Sequence, residues 1–385
     1  MGKTSALPLT ERSGRRTPWG VDSITHLTLG AVLGELFLGK KLGKRGLAWG
    51  ALFGSVPDLD VLLAPFLDTA HELAVHRGLS HSLLLMSVAA FALPTWLAKR
   101  WKRDKVSRVR IGWFIFLCMG THVLLDCFTV YGTQVFYPFS DYRVGFNNLF
   151  IIDLFFTLPM LVTVVWLAFL KAKDPKRLKL GVRGLILSAV YVLLSLGAKA
   201  WVSSGFDADL ARRKVTSQRR MEGPTPFNIL LWRSVVDRGD ELWIGYRSVF
   251  EMKDSPVKWS IISRQREAFA TVSDTREART LDRFSDGWWI ARKTATGVWV
   301  ADMRFGESRS WEKKETVDLR PAFSWLLQYK DEGDRLQTQP RDIKSSGEIL
   351  KRMTGRIFGN RTDWEGFPRL TGNPGSLPEQ LNWEE

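Results

Sequence analysis

Histidine is missing from this 385-residue chain everywhere except between positions 26 and 122. All five histidines (His26, His71, His76, His81 and His122) lie in the apolar N-terminal part and close to aspartates. Imidazole chemistry is therefore confined to the first third of the chain. Cysteine is scarcer still. Cys118 and Cys127 share one apolar segment, and their spacing puts them about 13 Å apart along a helix, too far for a disulfide. They read as small core residues. No His-Glu-x-x-His is present, which sets aside a zinc protease of that type, and there is neither a nucleotide-binding loop nor a nucleophile elbow. The N-terminus does not read as a cleavable signal peptide: Lys3, Arg12, Arg15 and Arg16 precede a short apolar run, but Lys40-Lys41 follows it in place of small residues.

The overall hydrophobic fraction of 45% averages two unlike parts. Up to about residue 203 the chain carries runs long enough to cross a bilayer, where about 20 apolar residues are needed. Residues 79–98, 111–130 and 150–170 are clear spans, and 184–202 is a fourth, marred only by Lys199. Residues 47–66 form a fifth, interrupted by Pro57, Asp58 and Asp60, while 27–39 is short and reads as a partial or re-entrant segment. Beyond residue 204 the chain turns polar, with short alternating runs and most of the 17 tryptophans. These observations predict an all-α polytopic membrane domain of about five to six helices followed by a small antiparallel β-rich soluble domain. The boundaries read as a basic arm over 1–18, the membrane domain over 19–203, the β-rich domain over 204–336 and a polar tail over 337–385.

The net charge of +15 could suggest nucleic acid, but much of it sits in three loops, 40–45, 99–110 and 171–183. Short loops rich in Lys and Arg stay in the cytoplasm, so topology accounts for the charge and no nucleic-acid partner is expected. With those loops inside, the helices alternate so that Asp22, His26, Pro57-Asp58-Leu59-Asp60, His76, His81, His122, Asp126 and Asp153 all fall on the outer face. The β-rich domain is then extracytoplasmic, and so, against the charge rule, is the basic arm.

Ionisable groups inside an apolar segment are costly and point to function. Imidazole and carboxylate together are what a zinc-like or mixed N/O site needs. Asp22/His26 and His122/Asp126 are spaced i,i+4, neighbours on a helix face. Pro57 biases Val56 away from helix, so Asp58 and Asp60 would point to one side of an extended break. Gly78 and Ser80, between His76 and His81, suit a turn into a helix, with Ser80 as its N-cap. Each item also has a plain reading: His122 as a hydrogen-bonded core histidine, Asp153 as a helix cap, His71 as a polar-loop residue, and Arg77 as the partner of Asp58 or Asp60 instead of a phosphate.

In this order, Asp22-x3-His26, Pro57-Asp58-Leu59-Asp60, His76-Arg77-Gly78-Leu79-Ser80-His81-Ser82 and His122-x3-Asp126 with Tyr131-Gly132-Thr133 and Pro138-Phe139, the chain resembles the YdjM-like family. The resemblance covers about residues 20–170, and residues 224–306 resemble the soluble extension of longer members. That family is described as bacterial inner-membrane metal-dependent hydrolases, as LexA-binding, and as distantly similar to zinc-dependent phospholipase C and the P1-type nucleases. The resemblance implies metal ligands at His26, Asp58, His76, His81, His122 and Asp126, with Ser80 standing where Thr is common.

In the polar part, residues 228–237 and 241–250 alternate around Arg238-Gly239-Asp240, and 287–294 and 298–305 around Ala295-Thr296-Gly297. These are hairpin signals, with a helix expected near 321–329. The functional expectation is a metal-dependent hydrolase using one to three divalent ions, zinc or alternatively manganese. It would act on a membrane lipid or lipid-linked phosphoester, with Asp60 as general base and Arg77 holding the phosphate. The alternatives are a non-catalytic membrane protein with a structural metal, and an ion- or proton-coupled transporter.

Overall fold

The computed structural model describes residues 23–309, 319–330, 335–339 and 346–361. The basic arm at 1–18, Asp22 and most of the expected tail, 362–385, lie outside the described residues.

Residues 23–212 are helical. Helix α1 (Ser23–Gly34) passes through a π-helical turn (Glu35–Gly39) into α2 (Lys40–Leu42). Together these cover residues 23–42, about 30 Å at 1.5 Å per residue, so the short apolar run is lengthened at both ends. Helix α3 (Lys44–Ser55) returns antiparallel to α1 and gives way to a 3-10 segment (Pro57–Phe66) bent by 51°. Then follow α4 (Thr69–Val75), a 3-10 turn (Leu79–His81), α5 (Leu83–Arg100), α6 (Arg108–Cys127), α7 (Leu154–Phe169) and α8 (Lys176–Arg212). By length and composition three helices, α5, α6 and α8, could cross a membrane, and α3 with its bent continuation could make a fourth.

Two local expectations are corrected. Val56, before Pro57, is helical at φ −56° and ψ −42°. Proline is tolerated here because it occupies the first position of the new 3-10 helix, where its missing N–H is not needed. The span expected from residue 79 begins as an α-helix only at Leu83, and its N-cap is Ser82, which accepts the Leu85 N–H at 3.1 Å.

A glycine seam holds α1 against α3. Gly30 and Gly34 face Gly46, Gly50 and Gly54, and a Cβ on Gly50 would lie 2.1 Å from the Gly30 carbonyl oxygen. Small residues allow this backbone contact in membrane bundles. Near the opposite end of α1 the Glu35 carboxylate, buried, receives the Arg177 Nε at 2.8 Å, while Arg177 Nη1 donates to the Leu167 and Leu170 carbonyls. The three basic turns meet at that end: Arg45 pairs with Asp104 at 3.4 Å, and Gly43 lies against Ala172.

The soluble part holds two four-stranded antiparallel sheets. The first is β1 (Arg219–Pro224), β2 (Leu231–Asp237), β3 (Glu241–Ser248) and β4 (Ser260–Ser263); α9 (Arg266–Ala270) and α10 (Arg276–Phe284) follow. The second is β5 (Trp289–Lys293), β6 (Gly297–Arg309), β7 (Leu319–Gln328) and β8 (Leu336–Thr338), with α11 (Ser346–Ile357) after it. Both hairpins read from the alternation are present as β2–β3 and β5–β6. The helix expected near 321–329 is strand β7 instead. Phe323, Trp325 and Leu327 are buried at a period of two, and Pro321 sits where the β6–β7 register shifts, a position at which a strand tolerates proline. α8 carries the helical part on to Arg212, beyond residue 203. Within 337–385, expected as a polar tail, α11 buries Met353 and Ile357 between the sheets.

The soluble part does not hang free. Ala70 and Leu73 of α4, and Tyr131, belong to the same apolar cluster as Phe269, Leu281, Phe284 and Trp325. Arg276 Nη2 reaches Asp68 at 2.9 Å. Burial alone would raise the Asp68 carboxyl, but the His71 backbone N–H and then Arg276 outweigh it and hold it at about 2.

The glycine seam gives a direct test. Gly50→Ala should separate α1 from α3 and destabilise the protein by roughly 1–3 kcal/mol, read as a lowered thermal midpoint in detergent. Gly197→Ala, on α8 with nothing beyond its own helix backbone within 4 Å of the added methyl, should leave the midpoint unchanged or slightly raised. Equal midpoints for both variants would refute the role given to the seam.

Candidate metal centre

Four donor atoms converge at the end of the bundle away from the basic turns. They are Asp58 Oδ1 from the 3-10 segment, His81 Nε2 from the turn before α5, and His122 Nε2 and Asp126 Oδ2, one helical turn apart on α6. The two Nε2 atoms are 3.2 Å apart. Asp126 Oδ2 is 3.2 Å from His81 and 3.3 Å from His122, and Asp58 Oδ1 is 3.5 and 3.4 Å from the same two atoms. A zinc-like ion with bonds of about 2.0–2.1 Å sets donors about 3.3–3.4 Å apart along a tetrahedral edge. Five of the six edges therefore match, and the sixth, between the carboxylates, is no longer than 4.8 Å.

Hydrogen bonding sets the tautomers. His122 Nδ1 donates to the Gly54 carbonyl at 2.6 Å, so its Nε2 carries the lone pair. Ser80 Oγ donates to Asp60 Oδ2 at 3.1 Å, and its lone pair accepts the His81 Nδ1–H at 2.8 Å. The His81 Nε2 lone pair then faces His122 as well. With both rings neutral in these tautomers, four acceptors face one another. The two carboxylates alone repel by at least roughly 3 kcal/mol at an effective dielectric of about 20. Three carboxylates (Asp58, Asp60, Asp126) against one guanidinium (Arg77) leave the group at about −2 with neutral imidazoles, the charge a divalent cation matches. Both Asp126 oxygens are buried and accept no well-aligned hydrogen bond. The donor set fits a metal ion.

The other expected site residues surround these four. His26 Nε2 lies 3.3 Å from Asp126 Oδ1, and its ring stacks on His122 at 3.6 Å. His76 Nδ1 is 3.3 Å from Asp60 Oδ2, with its ring edge-on to Tyr131; burial pushes its pKa below the ordinary value, against the pull of Asp60. Arg77, at φ +57°, is 5% exposed. Its Nη2 meets Asp126 Oδ1 at 3.0 Å, its Nη1 donates to Thr129, and it lies over Tyr131. Asp60 Oδ2 also accepts the Arg77 backbone N–H at 3.0 Å, so this carboxylate organises the whole 76–81 turn. Asp58 and Asp60 do not share one side of an extended strand; the 3-10 helix turns them apart, one to the donors and one to the loop.

Ser80 is not the N-cap. That task falls to Ser82, which frees Ser80 to bridge Asp60 and His81. His71 lies outside the cluster, paired with Asp68 at 2.8 Å, and Asp153 caps α7 while accepting from Tyr191 Oη. The residues missed in the sequence are Gly54 and Thr129, while Tyr131 stands in the motif that carries the resemblance with no role assigned to it. The first is marked by the run of glycines at every fourth position from Gly46; nothing local distinguishes Thr129.

Removing the Ser80 bridge takes the acceptor from His81 Nδ1 and uncouples that ring from Asp60, which keeps the Arg77 backbone N–H. Groups that orient a ligand from behind are worth about 10–100-fold in metal affinity. Ser80→Ala should therefore weaken zinc or manganese binding by about that factor, measured by competition with a chromophoric chelator, and Ser80→Thr should restore it. Unchanged affinity in Ser80→Ala would contradict the bridge.

A family model described as "YdjM inner membrane protein" matches residues 21–202, which contain every residue of the cluster. The Escherichia coli (strain K12) protein "Inner membrane protein YbcI" is 34% identical over 125 residues, 31% of this chain and 69% of that protein. No solved structure matches. The chain is thus an integral membrane protein that belongs to the YdjM inner membrane protein family.

Proposed function

We propose that this protein is a membrane-embedded, metal-dependent hydrolase of lipid or lipid-linked phosphoesters. The observation that carries the reading is the convergence of His81, His122, Asp58 and Asp126 as four facing acceptors at near-tetrahedral spacing. A divalent ion held there, zinc or alternatively manganese, supplies Lewis acidity and acidifies water. The residues do the rest. Gly54 and Ser80 hold the two imidazoles in the ligating tautomer. Arg77, too buried and too engaged to be a free phosphate clamp, pairs with Asp126 and holds its Oδ1. Asp60 orients the loop through Oδ2, and as the general base of this reading it would accept the proton of the attacking water through Oδ1, which accepts no other hydrogen bond. It lines a shallow cleft with Glu72 and His76.

Access supports a lipid substrate. The Asp58 side chain is 21% exposed, while those of the other three donors are at most 1%, so the site opens beside Asp58. The flanking Leu59, Leu62, Leu63 and Phe66 on the same segment are all more than half exposed, an apolar border suited to acyl chains. The loop-charge rule favours a cytoplasmic location for the basic turns at the opposite end, and with it the cluster and the C-terminal domain would lie outside the cytoplasm. Four protein donors could also close a purely structural site. The exposed edge at Asp58 favours catalysis, and assay decides.

Purified protein in detergent, measured by mass spectrometry for metal content, should carry stoichiometric zinc or manganese. His81→Ala with His122→Ala should lose it while remaining monodisperse and helical. Metal-loaded protein should release phosphate-containing headgroups from lipid phosphoesters, and Asp60→Asn should lower the rate by about 100-fold or more while retaining the metal. No metal after reconstitution would sink the whole reading; metal without hydrolysis across the lipid panel would leave the structural site.

A further inference from the structure

The soluble domain exposes an apolar patch where it needs none for its own core. Phe250 and Met252, in the connection from β3 to β4, are 61% and 80% exposed, and Phe358, just after α11, is 72% exposed. The two phenyl rings stack at 5.6 Å although more than a hundred residues separate them in sequence. The patch is held rigidly from behind. Glu251 Oε1 receives Arg356 Nη1 at 2.7 Å and Arg361 Nη2 at 3.0 Å, and Ser248 Oγ donates to the Ile357 carbonyl at 2.7 Å. Leaving a phenylalanine or methionine in water forgoes the free energy of its burial, so presenting three together on locked backbone points to a covering partner.

Its position says which partner. α8 is 37 residues long, about 55 Å, whereas a hydrocarbon core needs only about 20 residues. The helix enters with Lys176, Arg177, Lys179 and Arg183 and is apolar from Gly184 to Ala198, so the bilayer ends near Lys199 and Trp201. Trp201, 46% exposed, is where a membrane-interface tryptophan belongs. Its Nε1 donates to the Val249 carbonyl at 3.1 Å, one residue before Phe250. The exposed patch therefore begins at the level where α8 leaves the membrane.

We propose that Phe250, Met252 and Phe358 form a foot by which the soluble domain dips into the interfacial layer of the same bilayer that holds α8. Its ligand is the headgroup and upper acyl region of the host lipid. Exposed Lys253 beside Met252 suits an anionic headgroup. This inference depends on membrane insertion alone and not on any catalytic activity.

The test uses full-length protein in nanodiscs of phosphatidylcholine with phosphatidylglycerol. Single substitutions Phe250→Cys, Met252→Cys and Phe358→Cys carry a nitroxide, with Lys293→Cys on β5 as a solvent-facing control; native Cys118 and Cys127 are buried. Electron paramagnetic resonance then compares collision with oxygen, which concentrates in lipid, and with a water-soluble nickel chelate. The foot positions should favour oxygen several-fold over the control. Nickel accessibility equal to that at Lys293→Cys would overturn the proposal. So would shielding from both reagents, which at one protein per disc would mark contact within the protein, and at higher loading a second copy. The substituted residues lie outside the packed core, so an unchanged thermal midpoint verifies that the labelled proteins are folded.

Discussion

Uncompensated charge in an apolar medium is the constraint on which the rest of this structure depends. Asp126 is fully buried among His26, His81, His122 and Arg77. An isolated carboxylate there would cost several kcal/mol even after relaxation. Each neighbour answers part of that cost from a different element: α1, the turn before α5, α6, and the loop after α4. The local order of the helices follows from the need to bring these groups to one point. Arg77 satisfies only one oxygen of Asp126. The other faces the donors, where a bound cation would balance it.

Convergence of this kind requires backbones to approach more closely than large side chains allow. The glycine seam between α1 and α3 meets that need and does a second thing. By letting α3 lie against α1 it carries the Gly54 carbonyl to His122 and ends α3 where the 51° bend begins. Pro57 then starts a 3-10 helix whose three-residue turn sends Asp58 and Asp60 in different directions. Residues two apart lie about 120° apart around a 3-10 axis, which leaves Asp58 for the donor set and Asp60 for the loop. Packing between helices and chemistry at the site are thus one problem, solved by the same few small residues.

The membrane domain, the two hairpins and the gathering of histidines with aspartates were legible because each leaves a strong periodic or compositional mark. Apolar runs of about 20 residues, alternation around Gly239, and costly groups in apolar segments all act locally. What stayed hidden depends on contacts far apart in sequence. Pro57 reads as a break from its neighbours alone, yet Val56 remains helical because the bend, not an extended strand, is what packs. The residues at 321–329 pass for a helix until β6 and β8 supply ladder partners for Phe323, Trp325 and Leu327. Ser80 and Ser82 are equal as caps on propensity; only Asp60, twenty residues earlier, draws Ser80 away from that role. His26 and His76 also look equivalent to His81 in sequence, and only geometry separates the four converging donors from their neighbours.

The soluble domain brings no histidine to the site, but it is part of the site's scaffold. The 76–81 turn must hold Arg77 in a left-handed conformation and His81 within a few tenths of an ångström of its partners. Its trailing end is fixed where Ser82 caps α5. Its leading end is α4, a helix of seven residues, too short to be stable by itself. That helix is held from above: Ala70 and Leu73 sit in the core of the soluble domain, Asp68 pairs with Arg276, and Arg143 donates to the Leu73 and His76 carbonyls. Tyr131 continues the connection, with Arg77 and His76 on one side and Phe284 on the other. A domain anchored to α8, to α4 and to the bilayer surface has little freedom to rock, and that rigidity passes through Tyr131 and α4 to the loop that presents His81.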